Sequence, residues 1–118
     1  MKQEQIKNEL AKHVKEAIKE LYNQTLLNMN VYMQNDRKMV IAISKLNSSA
    51  VKLLEAVAER INKQEWEKVF ELCTENIVAF VYGYEQTVKD NETDHDTTII
   101  NTLLEIGYEA KVNLEAMV

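Results

Sequence analysis

Met29-Asn30-Val31-Tyr32-Met33-Gln34-Asn35-Asp36-Arg37-Lys38-Met39-Val40-Ile41-Ala42-Ile43 is the stretch on which the fold turns. Read as a strand pair, Met29, Val31 and Met33 alternate with Asn30, Tyr32 and Gln34. Asn35-Asp36 then supplies a two-residue loop, and Val40-Ile41-Ala42-Ile43 closes a second, β-branched-rich run. Read as helix, Met29, Met33, Met39, Ile43 and Leu46 form an apolar stripe with a break at Asn35-Asp36. Helix propensity is low here because Asn, Val, Tyr and Ile crowd together. The helical version is the first expectation and a β-hairpin at 29–43 the alternative that the local pattern leaves open.

Working outward, the flanks are plainer. Upstream, Ile6, Leu10, Val14, Ala17 and Leu21 recur at threes and fours, which predicts a helix over about residues 3–27 with lysines and glutamates on its other faces. Downstream, Ala50, Leu54, Val57 and Ile61 make another stripe, with Ser48 or Ser49 as a cap if the helix starts there. Asn62-Lys63-Gln64 reads as a short connection. Trp66, Val69, Phe70, Cys73, Ile77, Phe80, Val81, Tyr84 and Val88 follow at helical spacing, and Ile77–Tyr84 is apolar on nearly all sides, as a central helix would be. The polar run from Lys89 to Asp96 is the clearest loop, offering Thr93, Asp94 or Asp96 to cap a last helix through Ile99, Leu103, Ile106, Ala110, Leu114 and Met117. The chain has no proline and two glycines, so it has few devices for sharp turns. The expected fold is all-α: a single domain, 1–118, forming an antiparallel bundle of about four helices.

Size and composition narrow the function classes. A chain of 118 residues, 46% hydrophobic and 28% charged, is of ordinary single-domain character. No apolar run approaches the roughly 20 residues of a membrane span. The first residues, Met1-Lys2-Gln3-Glu4-Gln5, have no apolar segment of secretory type behind them. The single cysteine, Cys73, rules out an internal disulfide, and a cytoplasmic location is expected. The net charge of −5 conceals an asymmetry. Residues 1–54 carry nine Lys/Arg against five Asp/Glu, and residues 55–118 carry five against fourteen. An acidic whole argues against a dedicated nucleic-acid binder, while the basic half keeps a local version of that idea.

No motif of catalysis or cofactor binding is present, so no enzyme, cofactor or metal is expected. Asp90, Glu92, Asp94 and Asp96 alternate as in the first half of a calcium-binding loop. His95 then stands where the turn needs glycine, and Asn101 where a bidentate glutamate belongs. His13 lacks the sequence context of a histidine phosphotransfer module, and the paired Glu-x-x-His motifs of a di-metal bundle are missing. Glu67, Glu71, Glu75, Glu105 and Glu109 therefore read as outer faces. Cys73 lies on an apolar stripe and reads as an inert core residue.

What remains points to a surface. Tyr82 and Tyr108 fall off their stripes, and with Tyr32, the adaptable Met29, Met33 and Met39, and the basic pair Arg37 and Lys38, they are the candidate partner-binding residues. Gly83 and Gly107 lie inside predicted helices, where glycine costs about 1 kcal/mol relative to alanine. Close helix packing or a partner on the backbone would account for them. The expected function is a small non-enzymatic regulator or inhibitor acting by stoichiometric contact with a protein partner. Accessory proteins of phages and mobile elements, including counter-defence inhibitors, have this bulk character. The alternative is a nucleic-acid-binding accessory protein using Lys12, Lys15, Lys19, Arg37, Lys38, Lys45 and Lys52. A homodimer is compatible with either.

Overall fold

A computed structural model describes residues 2–88 and 98–116. Within them the chain forms α1 (Lys2–Tyr32), α2 (Arg37–Asn62), α3 (Trp66–Val88) and α4 (Thr98–Ala116), with no strand among the described residues. Each helix packs on its two neighbours in the cyclic order α1–α2–α3–α4–α1. The result is an antiparallel bundle 52 Å long and about 20 Å across. The acidic stretch 90–96, with its metal-like alternation and its capping residues, lies outside the described residues.

The hairpin alternative at 29–43 is overturned. α1 runs five residues further than the periodicity predicts and ends in a tight turn, where the Tyr32 carbonyl accepts the amides of Asn35 and Asp36 at 3.0 and 2.7 Å. Asp36 then caps α2, its carboxylate accepting the Met39 amide at 3.1 Å, so the cap lies well upstream of Ser48 and Ser49. The physical reason is burial. Met39, Val40, Ile43, Asn47 and Ala50 join Val51, Leu54, Val57 and Ile61 in one buried stripe along 26 residues. A hairpin would place alternate residues of 39–43 in solvent, and packing of a long stripe outweighs weak local propensity.

The α2–α3 corner is equally well specified. Gln64 takes a left-handed conformation (φ 55°), the Glu65 amide reaches back to the Arg60 carbonyl at 3.0 Å, and the Gln64 amide to Ile61 at 2.9 Å. This is a Schellman ending, with glutamine where glycine is usual. Glu65 then opens α3. Its carboxylate lies 3.0 Å from Lys68 and 3.2 Å from Arg60, and the Lys68 hydrogen bond, with these cations beside it, holds the carboxyl below its ordinary range. Gln64→Gly relieves the left-handed strain and is expected to stabilise the fold by about 1 kcal/mol, read as a higher urea midpoint at unchanged slope.

The core is built from Leu10, Val14, Ala17 and Leu21 of α1, the α2 stripe, Trp66, Val69, Cys73, Phe80 and Tyr84 of α3, and Ile99, Leu103, Ile106 and Ala110 of α4. α3 is not the central helix that its composition suggests. Its Val78 is 75% exposed, because α3 occupies a corner like the other three helices.

Both helical glycines are explained by close packing. A Cβ on Gly83 would stand 2.8 Å from Leu46 Cδ2, the end of a flexible side chain, whereas one on Gly107 would stand 3.2 Å from Cys73 Cβ, the root of one. Gly83→Ala is therefore expected to be neutral to stabilising by up to about 1 kcal/mol, since Leu46 can rotate and helix propensity improves. Gly107→Val forces α3 and α4 apart and should cost about 2 kcal/mol. Thermal melts of the two variants check the contrast.

Candidate functional site

The surface that stands out is built where α1 and α2 meet in their upper halves. Leu21, Thr25, Asn28 and Tyr32 of α1 face inward or sit at the seam. One step round the helix, Tyr22, Leu26, Met29 and Met33 form a second apolar stripe at spacings of four, three and four. Tyr22 and Leu26 are more than half exposed, and Met29 is 42% exposed. Across the seam, α2 presents Val40, Ile41, Ser44, Lys45 and Ser48. The two helices enclose a groove of about 370 Å³ lined by Thr25, Met29, Met33, Val40, Ile41, Ser44, Lys45 and Ser48. A smaller recess of about 100 Å³ adjoins it, sharing Thr25, Ser44 and Ser48 and ending at Leu21, Tyr22, Asn47 and Val51.

The recess ends at a buried polar chain. Asn47 Nδ2 donates to Thr25 Oγ1 at 3.0 Å, Thr25 Oγ1 donates to the Leu21 carbonyl at 2.9 Å, and the Tyr84 hydroxyl donates to Asn47 Oδ1. Three helices are thereby tied at one level, and the polar side chain in the α2 stripe finds its partners. The groups so linked are a carboxamide, two hydroxyls and a backbone carbonyl.

The eight residues singled out from the sequence divide into groups. Met29 and Met33 line the groove, and Arg37 and Lys38 are exposed in the first turn of α2, one turn before the lining residue Ile41. Tyr32 is half-buried against the core and serves the α1–α2 turn through its carbonyl. Met39 is 4% exposed, so its place is in the core and no partner can reach it: a one-residue phase difference separates it from the groove. Tyr82 and Tyr108 are 64% and 66% exposed but stand on α3 and α4, outside the groove's lining. Tyr108 instead belongs to a separate exposed row on α4 with Leu104 and Val112. Tyr22, Leu26 and Ile41 were not among the sequence candidates. The signal for Tyr22 and Leu26 is the offset stripe 22, 26, 29, 33, which runs beside the core stripe.

The remaining chemistry is sparse. His13 Nε2 lies 3.2 Å from Glu105 Oε2, linking α1 to α4 at the surface. Glu67, Glu71, Glu75, Glu105 and Glu109 are exposed, and no group of three or more metal-binding side chains occurs among the described residues. Among the described residues no helix is long and apolar enough to cross a membrane. Cys73 is fully buried, and burial pushes its thiol up to about 12 from an ordinary 9.0. At neutral pH it is neither ionised nor reachable, so Ellman's reagent should react only as the protein unfolds. The sign of the linkage follows. The unfolded thiol loses its proton near pH 9 and the folded one near 12, so stability is intact below pH 9 and falls as pH rises through that window. Urea midpoints should show a steeper alkaline decline for the native chain than for Cys73→Ser.

No family model, curated protein or solved structure matches the chain.

Proposed function

We propose that this chain is a small regulator or inhibitor that acts by stoichiometric contact with a protein partner, through the groove between α1 and α2. The observation that carries the reading is the offset apolar stripe of Tyr22, Leu26, Met29 and Met33, whose methionines line a groove with Ile41. A monomeric helix of this type presents one apolar face to its core. A second contiguous apolar face, flexible in its methionines, is characteristic of a recognition surface. The absence of any recognisable catalytic motif in the sequence is consistent with binding as the activity, and a counter-defence role of the kind played by phage and mobile-element inhibitors fits this mode of action. A cytoplasmic setting belongs to the same proposal.

The test is a tagged pull-down from native host lysate, with and without nuclease, using the wild-type chain and the groove variants Met29→Glu and Ile41→Glu. Both positions are at least 40% exposed, so the variants keep the core, as circular dichroism would verify. A nuclease-resistant partner at near-stoichiometric yield that both variants lose supports the reading. Recovery that collapses on nuclease treatment, and steeply with salt, transfers the function to phosphate contacts from the basic half.

A further inference from the structure

The α2 side of the groove is cationic: Lys45 lines it, and Arg37, Lys38 and Lys52 stand one helical turn from the lining residues Ile41 and Ser48. From Leu21 to Leu54 the chain carries Arg37, Lys38, Lys45 and Lys52 against a single acid, Asp36, whose carboxylate is engaged by the Met39 amide. None of the four cations has an acidic partner among the described residues. Other unpaired lysines, Lys12, Lys15, Lys19 and Lys111, stand on helical segments that also carry glutamates, whereas Lys7, Arg60, Lys63 and Lys68 each lie within 3.3 Å of one. Apart from Lys45 the lining is almost wholly apolar, with hydroxyls of Thr25, Ser44 and Ser48 the polar exceptions.

An apolar trough with unneutralised cations along one side is the complement of a helix with an apolar stripe and acidic flanks. Length agrees. From Thr25 to Met33 the groove's α1 side is eight residue steps long, about 12 Å at 1.5 Å per residue, which accommodates about two turns of a docked helix with anchors at i, i+3 or i+4, and i+7. A nucleic-acid strand would use the cations but leave Met29, Met33 and Ile41 facing water or phosphate. Resting on the protein-binding reading above, we infer that the α1–α2 groove receives an amphipathic helix with acidic flanks, supplied by a protein partner. Methionines set the apolar tolerance of the site, and Arg37, Lys38, Lys45 and Lys52 select the sign of its occupant.

The experiment uses the full chain and two labelled probe peptides of about four helical turns. One is alanine-based, with leucines at i, i+3, i+7 spacing and glutamates on both flanks; the other has lysine at each glutamate position. Fluorescence anisotropy should show the glutamate peptide binding about tenfold tighter than the lysine peptide. Amide resonances of residues 22–52 should shift on its addition, and the triple variant Arg37→Glu, Lys45→Glu, Lys52→Glu should reverse the preference. Equal affinities, absence of binding, shifts elsewhere, or a preference unmoved by charge reversal each overturn the inference. So does sedimentation showing the protein alone as a dimer that Met29→Glu dissociates, because the occupant is then a second copy. The two readings fail separately. A lysate partner lost with Met29→Glu but retained by the triple variant leaves protein binding standing and removes the acidic helix, whereas no groove-dependent partner removes both.

Discussion

Replacing Trp66 by alanine should lower the stability of the bundle by about 4 kcal/mol, the largest loss expected from any single truncation here. Trp66 is 2% exposed at the first turn of α3, and it is the chain's single tryptophan. Its indole Nε1 donates to Gln3 Oε1 at 3.1 Å, which straps the start of α1 to the start of α3 across the bundle's diagonal. Truncation empties the largest side-chain volume in the core and cuts the strap together. Two companions separate the contributions. Trp66→Phe keeps most of the ring but no donor and should cost about 1–2 kcal/mol; Gln3→Ala removes only the acceptor and should cost about 1 kcal/mol. Denaturant titrations followed by far-ultraviolet circular dichroism measure all three. A Trp66→Ala loss below about 1 kcal/mol is incompatible with the packing described.

Asn47→Ala is expected to cost about 3 kcal/mol, an effect that no apolar contact explains. Asn47 is 2% exposed in the middle of the α2 stripe and both ends of its amide are used, one toward Thr25 and one toward the Tyr84 hydroxyl. Alanine withdraws a donor and an acceptor at once and leaves a void beside them. Tyr84→Phe removes one bond and leaves the ring in place, for about 1–2 kcal/mol. Because the two residues share a hydrogen bond, their double variant should be less damaging than the sum of the singles by about 1 kcal/mol or more. Strict additivity in that cycle would mean the hydroxyl and the amide do not act together.

Much of the fold is legible in spacing alone. The stripes Leu10–Val14–Ala17–Leu21, Leu54–Val57–Ile61 and Ile99–Leu103–Ile106–Ala110 are buried as their periodicity requires. Residues 29–43 were ambiguous because short windows suit both periods, and the deciding fact is that Met39 and Ile43 are in phase with Leu54, a match visible only over the whole of α2. Asn47 was hidden by its polarity: a stripe search skips the residue whose partners come from two other helices. The contacts of Gly83 and Gly107 with Leu46 and Cys73 depend on tertiary approach, and sequence separation carries no trace of it. The groove was half legible. Methionines and the Arg37-Lys38 pair drew notice by composition. Tyr22 and Leu26 give no separate periodic signal, because a second stripe adjacent to the first widens the apolar arc without changing its period.

The pairing of helices also sets the electrical shape of the molecule. α1 and α2 together carry ten Lys/Arg against six Asp/Glu, a net +4, while α3 and α4 carry two against seven, a net −5. Since these pairs form opposite long sides of a rod about 20 Å wide, the protein is a transverse dipole as well as an anion. In dilute buffer the screening length of about 30 Å exceeds that width, and neighbouring rods can align unlike sides despite their like net charge. Added salt weakens that alignment before it affects the apolar groove, so the protein should salt in.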